Sequence, residues 1–408
     1  MTKVRNSILL ARLNKSDMIM QQDHELKPAA RTEVPSSPTV GMVAKVREMK
    51  RSAIDVISLG AGEPGFVTPE HIREYAKKAL DEGNTFYSDS AGIPELRKAI
   101  AEKMERDNGI SVDPNSEIIV TVGGKEAIFT TIMAMIDPGE EVIVSDPCWV
   151  SYEPCIVFAG GVPVKIPLYE DRDFRLNIVD IEASITSKTK MIILNSPNNP
   201  TGGILEKRDL EEIASIAVKN DLLVISDELY EYLVYDGIRH YSIASFSEMK
   251  DRTITVNGFS KAFAMTGWRL GYMVANKQII QRVKVIHEHS VTAASTFAQI
   301  AAAFALRDER SWKFAREMKA QYEERRNILI DGLTEIHGVS CIKPRGAFYA
   351  FPDTSTIEKS SLRMSDLLLE KARVATIPGI GFGKRGEGHI RLTFTNPEDE
   401  LKEALKRI

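Results

Sequence analysis

Lys261 stands in the run Ser260-Lys261-Ala262-Phe263-Ala264-Met265-Thr266-Gly267-Trp268-Arg269, just past an apolar stretch at residues 253–256. Asp227 ends a second such stretch, residues 222–226, and Tyr230 follows three residues later. Short apolar runs of this kind read as buried parallel strands. Open α/β sheets collect ligands beyond the carboxyl ends of their strands. A primary amine placed there can condense with an aldehyde. An aspartate can pair with a protonated ring nitrogen, and an arginine can hold a phosphate. Pyridoxal 5′-phosphate requires all three.

Other residues extend this constellation. Thr121-Val122-Gly123-Gly124-Lys125 reads as a strand, a glycine turn and a helix start, which is an anion site because the helix N-terminus leaves N–H groups free. It lacks the spacing and the Ser/Thr of a nucleotide P-loop. Arg269 seen alone is better explained by a structural ion pair. Beside Gly267 and Gly271 it gains weight as a phosphate ligand. Asn195-Ser196-Pro197-Asn198-Asn199-Pro200-Thr201-Gly202 ends a strand in a proline-fixed polar loop that can hold an amide against a phenolate oxygen. Tyr230 can donate to the same oxygen. Trp149, at the start of a segment after another strand, can stack on a pyridine face or serve as a core aromatic.

The elements that must position these groups read as α/β. Strand-like runs at 118–122, 141–145, 190–195, 222–226, 253–256 and 270–274 alternate with helical patterns at 125–135, 149–159 and 207–220. Upstream lie a helix at 40–51, a strand at 56–59 and a helix at 69–82 with Thr68 as its N-cap and Pro69 at N1. Downstream, helices at 296–306 and 310–333 lead to antiparallel strands at 339–344, 347–351 and 389–394 and a helix at 365–372. The expected division is a flexible arm over residues 1–30, a large domain at 69–307, and a small α+β domain from 31–68 with 308–408.

Bulk properties restrict the partners. With 408 residues the chain exceeds a single core. A net charge of −4 gives no electrostatic reason to expect nucleic acid or an acidic membrane. Three cysteines make no disulfide framework, and no stretch has the length and apolarity of a membrane helix, so a cytoplasmic protein is expected. No metal site is expected, since Cys148 and Cys155 are spaced too widely for a zinc knuckle and His287 and His289 are two apart. Gly60-Ala61-Gly62-Glu63-Pro64-Gly65 spells a dinucleotide fingerprint. Pro64 stiffens the turn, however, and no second strand supplies a ribose-binding acid. A glycine turn that admits a substrate carboxylate fits better.

Several segments, in order, resemble the class I aminotransferases of fold type I, the aspartate aminotransferase family. They are Ser58 to Pro64, Tyr87-Ser-Asp-Ser-Ala-Gly-Ile-Pro-Glu-Leu-Arg97, Thr121 to Lys125, Asn198 to Gly202, Ser226 to Tyr230, Ser260 to Arg269, and His389-Ile390-Arg391-Leu-Thr-Phe394. The resemblance covers about residues 30–408 and implies the fold: a mostly parallel seven-stranded sheet flanked by helices, with a smaller α+β domain. It implies that Lys261 is the Schiff-base lysine and Asp227 the pyridinium partner, with Tyr230 and Asn199 on the ring hydroxyl. Arg269 and the Gly124-Lys125 turn correspond to the phosphate cradle, and Trp149 to the stacking residue. Tyr87 corresponds to a tyrosine that reaches a neighbouring subunit's phosphate, which implies a homodimer with shared sites. Arg391 and Gly62 correspond to the α-carboxylate contacts, together with Asn199 and Trp149. Lys125 favours an acidic amino acid, aspartate or glutamate, with a 2-oxoacid as acceptor in ping-pong order, although a solvated or phosphate-facing lysine stays open at that position. Two departures stand out. Gly258 replaces a Ser or Thr, and Gly65 replaces an Asp. A β-eliminating lyase or an aromatic- or alanine-type aminotransferase remains open on the same fold. The further alternatives are a ligand-sensing regulator and a dehydrogenase, disfavoured by the short N-terminal arm and by the defective fingerprint.

Overall fold

The computed structural model describes residues 28–408; residues 36–408 make one unit and those up to Pro35 another. In the latter, one 3-10 turn, Ala30–Thr32, is described. The expected arm over residues 1–30 therefore lies outside the described residues except for its last three.

The larger unit opens with α1 (Pro38–Arg51), β1 (Ile57–Ser58), α2 (Glu70–Asp81) and α3 (Pro94–Lys103). Strand and helix then alternate through β2 (Ile118–Thr121), α4 (Gly124–Met135), β3 (Glu141–Asp146), α5 (Tyr152–Phe158), β4 (Val162–Pro167) and α6 (Ile178–Ser184). They continue through β5 (Thr189–Asn195), α7 (Lys207–Lys219), β6 (Leu223–Asp227), β7 (Thr253–Gly258) and β8 (Gly271–Val274). Helices α8 (Lys277–Ser290), α9 (Thr296–Arg307) and α10 (Glu309–Thr334) follow. The chain ends with β9 (Tyr349–Ala350), α11 (Ser361–Leu367), β10 (Val374–Ala375), β11 (Ile377–Pro378), β12 (Ile390–Thr393) and α12 (Glu398–Arg407).

Strands β2 to β8 form one seven-stranded sheet in the order β2-β8-β7-β6-β5-β3-β4. Only β8 runs against its neighbours, so the sheet is mostly parallel, as expected. Both faces are covered. Val142 and Val144 of β3 pack with Ile193, Ile225 and Val256 beneath α4, α5 and α8. Ile143, between those two valines, points to the other face and packs with Ile192, Leu194 and Val224 beneath α7. This period of two on a doubly covered sheet explains why the strands read as unbroken apolar runs. Each such side chain, fully buried, contributes about 1.5–3 kcal/mol. Register sets the strand ends level: Asn195 lies opposite Asp227, and Asp227 opposite Val256.

The C-terminal strands form a second sheet, β11-β12-β9, antiparallel throughout, and β1 pairs in parallel with β10. The strand expected at 339–344 is absent. Ser340 makes only an isolated bridge to Asp353, and Pro344, which has no N–H, turns its carbonyl to Arg326 at 3.0 Å. The third place in the sheet belongs to β11. The helix expected at 365–372 starts earlier, at Ser361, because Ser360 caps it by accepting from the Arg363 N–H. Its last turn widens to a π-turn, Leu368–Ala372. Thr68 does not cap α2. Its hydroxyl donates to the Ala264 carbonyl at 2.6 Å and accepts from the Trp268 indole at 3.1 Å, and Pro69 takes the cap position.

Candidate active site

The level ends of β5, β6 and β7 open onto a cavity of about 510 Å3. Lys261 comes three residues after β7, and its Nζ donates to the Gly62 carbonyl at 2.6 Å. Burial, followed by the nearby Arg391 charge, pulls its pKa down to about 8. Asp227 is buried at the tip of β6. Its Oδ2 accepts from the Tyr152 hydroxyl at 2.6 Å and its Oδ1 from the Leu229 N–H at 3.3 Å. Burial pushes its pKa up to about 6, against the opposing pull of the Tyr152 bond.

Next to these lies the glycine turn at the start of α4. Gly123 has φ +78°, and a Cβ there would sit 2.6 Å from an Arg269 Nη. Gly271 presses on the same turn: its Cβ would lie 2.7 Å from the Gly123 carbonyl carbon. The absence of side chains at both positions lets the Arg269 guanidinium lie against the turn. Arg269 itself is left-handed at φ +50°, and its guanidinium donates to backbone carbonyls, Thr266 at 2.9 Å and Val122 at 3.5 Å. The departure at Gly258 has a steric reason, since a Cβ there would be 3.0 Å from the Gly271 Cα. Gly65 likewise has no room, with the Thr395 carbonyl oxygen 2.0 Å from a would-be Cβ.

Arg391 projects from β12. It is buried, and it donates to Asn199 Oδ1 at 2.8 Å and to the Gly60 carbonyl at 2.9 Å. Its Nε is buried without a partner, and the guanidinium lies 4.4 Å from the centre of the Tyr349 ring. Burial lowers its pKa. Among the described residues no carboxylate pairs with Arg269 or Arg391. Two guanidiniums satisfied only by neutral oxygens are the electrostatic signature of a site for anions.

Of the residues singled out from the sequence, Gly62, Gly124, Lys125, Trp149, Asn199, Asp227, Tyr230, Lys261, Arg269 and Arg391 all line this cavity. Lys125 Nζ lies 5.1 Å from the Trp149 ring centre, and burial lowers its pKa. Tyr87 lies elsewhere. It is 89 % exposed, beside Phe86 at 83 %, and lines a separate depression with residues 293–297. Two aromatic residues were not foreseen. Tyr349 lines the cavity and exchanges a 2.7 Å hydrogen bond with Tyr230. Tyr152 holds Asp227 from behind. Its only sequence signal was its place three residues after Trp149, whose ring it meets edge-on at 5.2 Å.

The donor set fits pyridoxal 5′-phosphate. A Cβ-free turn and an unpaired guanidinium suit the phosphate, a lone buried carboxylate suits the ring nitrogen, and an amine of lowered pKa suits the aldehyde. Comparison with known proteins agrees. The family model for aminotransferase class I and II matches residues 54–408. An aspartate aminotransferase of Pyrococcus abyssi is 50% identical over 366 residues, 90% of this chain and 94% of that protein. An aromatic-amino-acid aminotransferase of Thermococcus litoralis is 47% identical over the same shares. A solved structure of Thermus thermophilus aspartate aminotransferase with maleate superposes with a TM-score of 0.90 at 43% identity, covering 94% of this chain and 98% of that one. The cavity at the strand ends and the match over nearly the whole described chain lead to one assignment: the chain belongs to the class I and II aminotransferases, enzymes dependent on pyridoxal 5′-phosphate.

Proposed function

We propose that this aminotransferase moves the amino group of a dicarboxylic L-amino acid, aspartate or glutamate, to a 2-oxoacid. The observation that carries this reading is the surplus of positive charge in one cavity. Arg391 serves the α-carboxylate and Arg269 the phosphate, which leaves Lys125 with no anion of its own. A second carboxylate on the substrate would supply it. The relatives named as aspartate aminotransferases, and the one solved with maleate, support the same choice.

When bound, pyridoxal 5′-phosphate supplies an aldehyde for primary amines and a ring that withdraws electrons from an amino acid's α-carbon. The chain's own residues do the rest. Arg269 and the backbone N–H groups of the Gly124-Lys125 turn hold the phosphate, which leaves the Lys125 side chain for the substrate. Asp227 keeps the ring nitrogen protonated, because an adjacent negative charge favours the charged form. Asn199 and Tyr230 bind the ring hydroxyl, and Trp149 covers one face. Arg391, steadied by Asn199 and Gly60, grips the α-carboxylate with the planar fork that a lysine lacks, and Gly62 lets it approach the backbone. Lys261 Nζ would take the proton from the α-carbon and would then be the nearest donor to the cofactor's former aldehyde carbon, the transfer that amino-group exchange requires. The two half-reactions follow in ping-pong order.

The same reading makes the working enzyme a homodimer, in which the exposed Phe86-Tyr87 corner meets a second copy and Tyr87 serves the neighbour's phosphate. It also divides the chain into a large domain at 69–307 and a small one from 31–68 with 308–408. The free cysteines support a cytoplasmic setting. No helix among the described residues is long and apolar enough to cross a membrane.

The test is a panel of amino acids offered to the cofactor-loaded protein, scored by loss of the cofactor's visible colour. Aspartate and glutamate are expected to react fastest. If both fail while aromatic amino acids succeed, the acidic assignment is wrong. Release of ammonia and a 2-oxoacid from cysteine conjugates, without any acceptor, would place the protein among the lyases.

A further inference from the structure

We infer that Tyr152 is a positioning residue for the cofactor's ring nitrogen, acting through Asp227. The inference rests on the proposed pairing of Asp227 with that nitrogen. Tyr152 opens α5 and is buried in the layer beneath the sheet, with its ring against Trp149. Its hydroxyl lies 2.6 Å from Asp227 Oδ2. No other side chain among the described residues bonds that carboxylate, and its second oxygen accepts only the longer 3.3 Å bond from the Leu229 N–H.

Position separates this bond from ordinary core satisfaction. A buried tyrosine hydroxyl needs some partner, and a backbone carbonyl would serve. Here the partner is the one carboxylate buried in the cavity wall. Asp227 lines the cavity and Tyr152 does not. The phenol therefore touches neither substrate nor cofactor. It fixes the carboxylate from the protein side. Its consequences are geometric and electrostatic. With Oδ2 held, rotation about the Cβ–Cγ bond is blocked, so Oδ1 keeps a constant direction. A donated hydrogen bond also favours the ionised carboxylate over the protonated one, so the proton rests on the ring nitrogen. Trp149, which packs on the same phenol, is then located by the same contact that locates Asp227.

The experiment compares the wild type with Tyr152→Phe, Asp227→Asn and the double variant, all loaded with pyridoxal 5′-phosphate. Thermal unfolding first verifies that the Phe variant folds, as the retained ring predicts. The main readout is the pH titration of the bound cofactor's visible absorption. Its midpoint is expected to move upward in Tyr152→Phe, because a less firmly protonated ring nitrogen repels the neighbouring proton less. Cofactor affinity should weaken about tenfold, as for loss of a hydrogen bond to a charged group. The fall in activity should appear in kcat more than in KM. In the Asp227→Asn background the same substitution should add nothing further. Tyr152→His, which keeps a donor, should restore part of the shift, and it carries the test if the Phe variant does not fold. A Tyr152→Phe titration and affinity equal to wild type would overturn the proposal, as would full additivity with Asp227→Asn. If Asp227→Asn alone leaves both readouts unchanged, the assignment of Asp227 fails instead, and the two failures are distinguishable.

Discussion

At Lys261, burial sets the chemistry before any ligand arrives. Its folded pKa, about 8, lies below the free value of 10.5. The amine is therefore charged below about pH 8 and neutral above it, and only the neutral amine attacks an aldehyde. Uptake of pyridoxal 5′-phosphate by cofactor-free protein, followed by absorbance in stopped flow, should speed up about tenfold per pH unit up to this value and then level off. The linked effect on stability has the same sign. The folded state carries the cost of a buried ammonium at low pH, and that cost is relieved as pH rises from about 8 toward 10.5. Lys261→Ala should lower kcat by at least about a hundredfold, and borohydride followed by peptide mapping should find no cofactor fixed at that position. Arg391→Lys should cut kcat/KM by about a hundredfold, mostly through KM, since a point charge replaces a planar fork. Steady-state kinetics with aspartate checks it, and an unchanged KM would remove Arg391 from the carboxylate site.

Among the elements, the turn between β2 and α4 depends on β8 returning antiparallel beside it. Gly271→Ala would press a methyl onto the Gly123 backbone at 2.7 Å. The expected cost is about 1–3 kcal/mol of stability by denaturant titration. A more specific sign would be a narrowed preference for pyridoxal 5′-phosphate over pyridoxal, because the phosphate end is what shifts. This dependence shows what a single sequence conveys and what it does not. The parallel strands and the residues at their tips were legible, because double burial writes each strand as a continuous apolar run that ends at a polar residue. Strand β4 was not, since Pro163 and Pro167 lie within it and it sits at the sheet's edge. Thr68 has the type and place of a cap, yet two tertiary bonds claim its hydroxyl. Tyr152 and Tyr349 look like core aromatics in sequence. Only the fold reveals that their hydroxyls meet Asp227 and Tyr230.

For the whole molecule, the proposed sharing of sites has a direct check. Lys261→Ala and Tyr87→Ala proteins, unfolded and refolded together in equal amounts, should regain about a quarter of wild-type activity, because half the dimers would be mixed and each would hold one intact site. No regain above the separate variants would mean that Tyr87 serves its own subunit or none. Arg391 carries a larger consequence. It joins β12 to the Gly60 carbonyl and to the loop after β5, segments 331 and 192 residues away along the chain, while keeping unspent charge for a visitor. A dicarboxylate that fills the cavity thus fastens three remote stretches through one side chain. Occupancy should then harden the protein against heat, and the melting temperature should climb with inhibitor concentration as binding linkage demands. In a cell, the same coupling would make the enzyme's lifetime depend on how well it is fed.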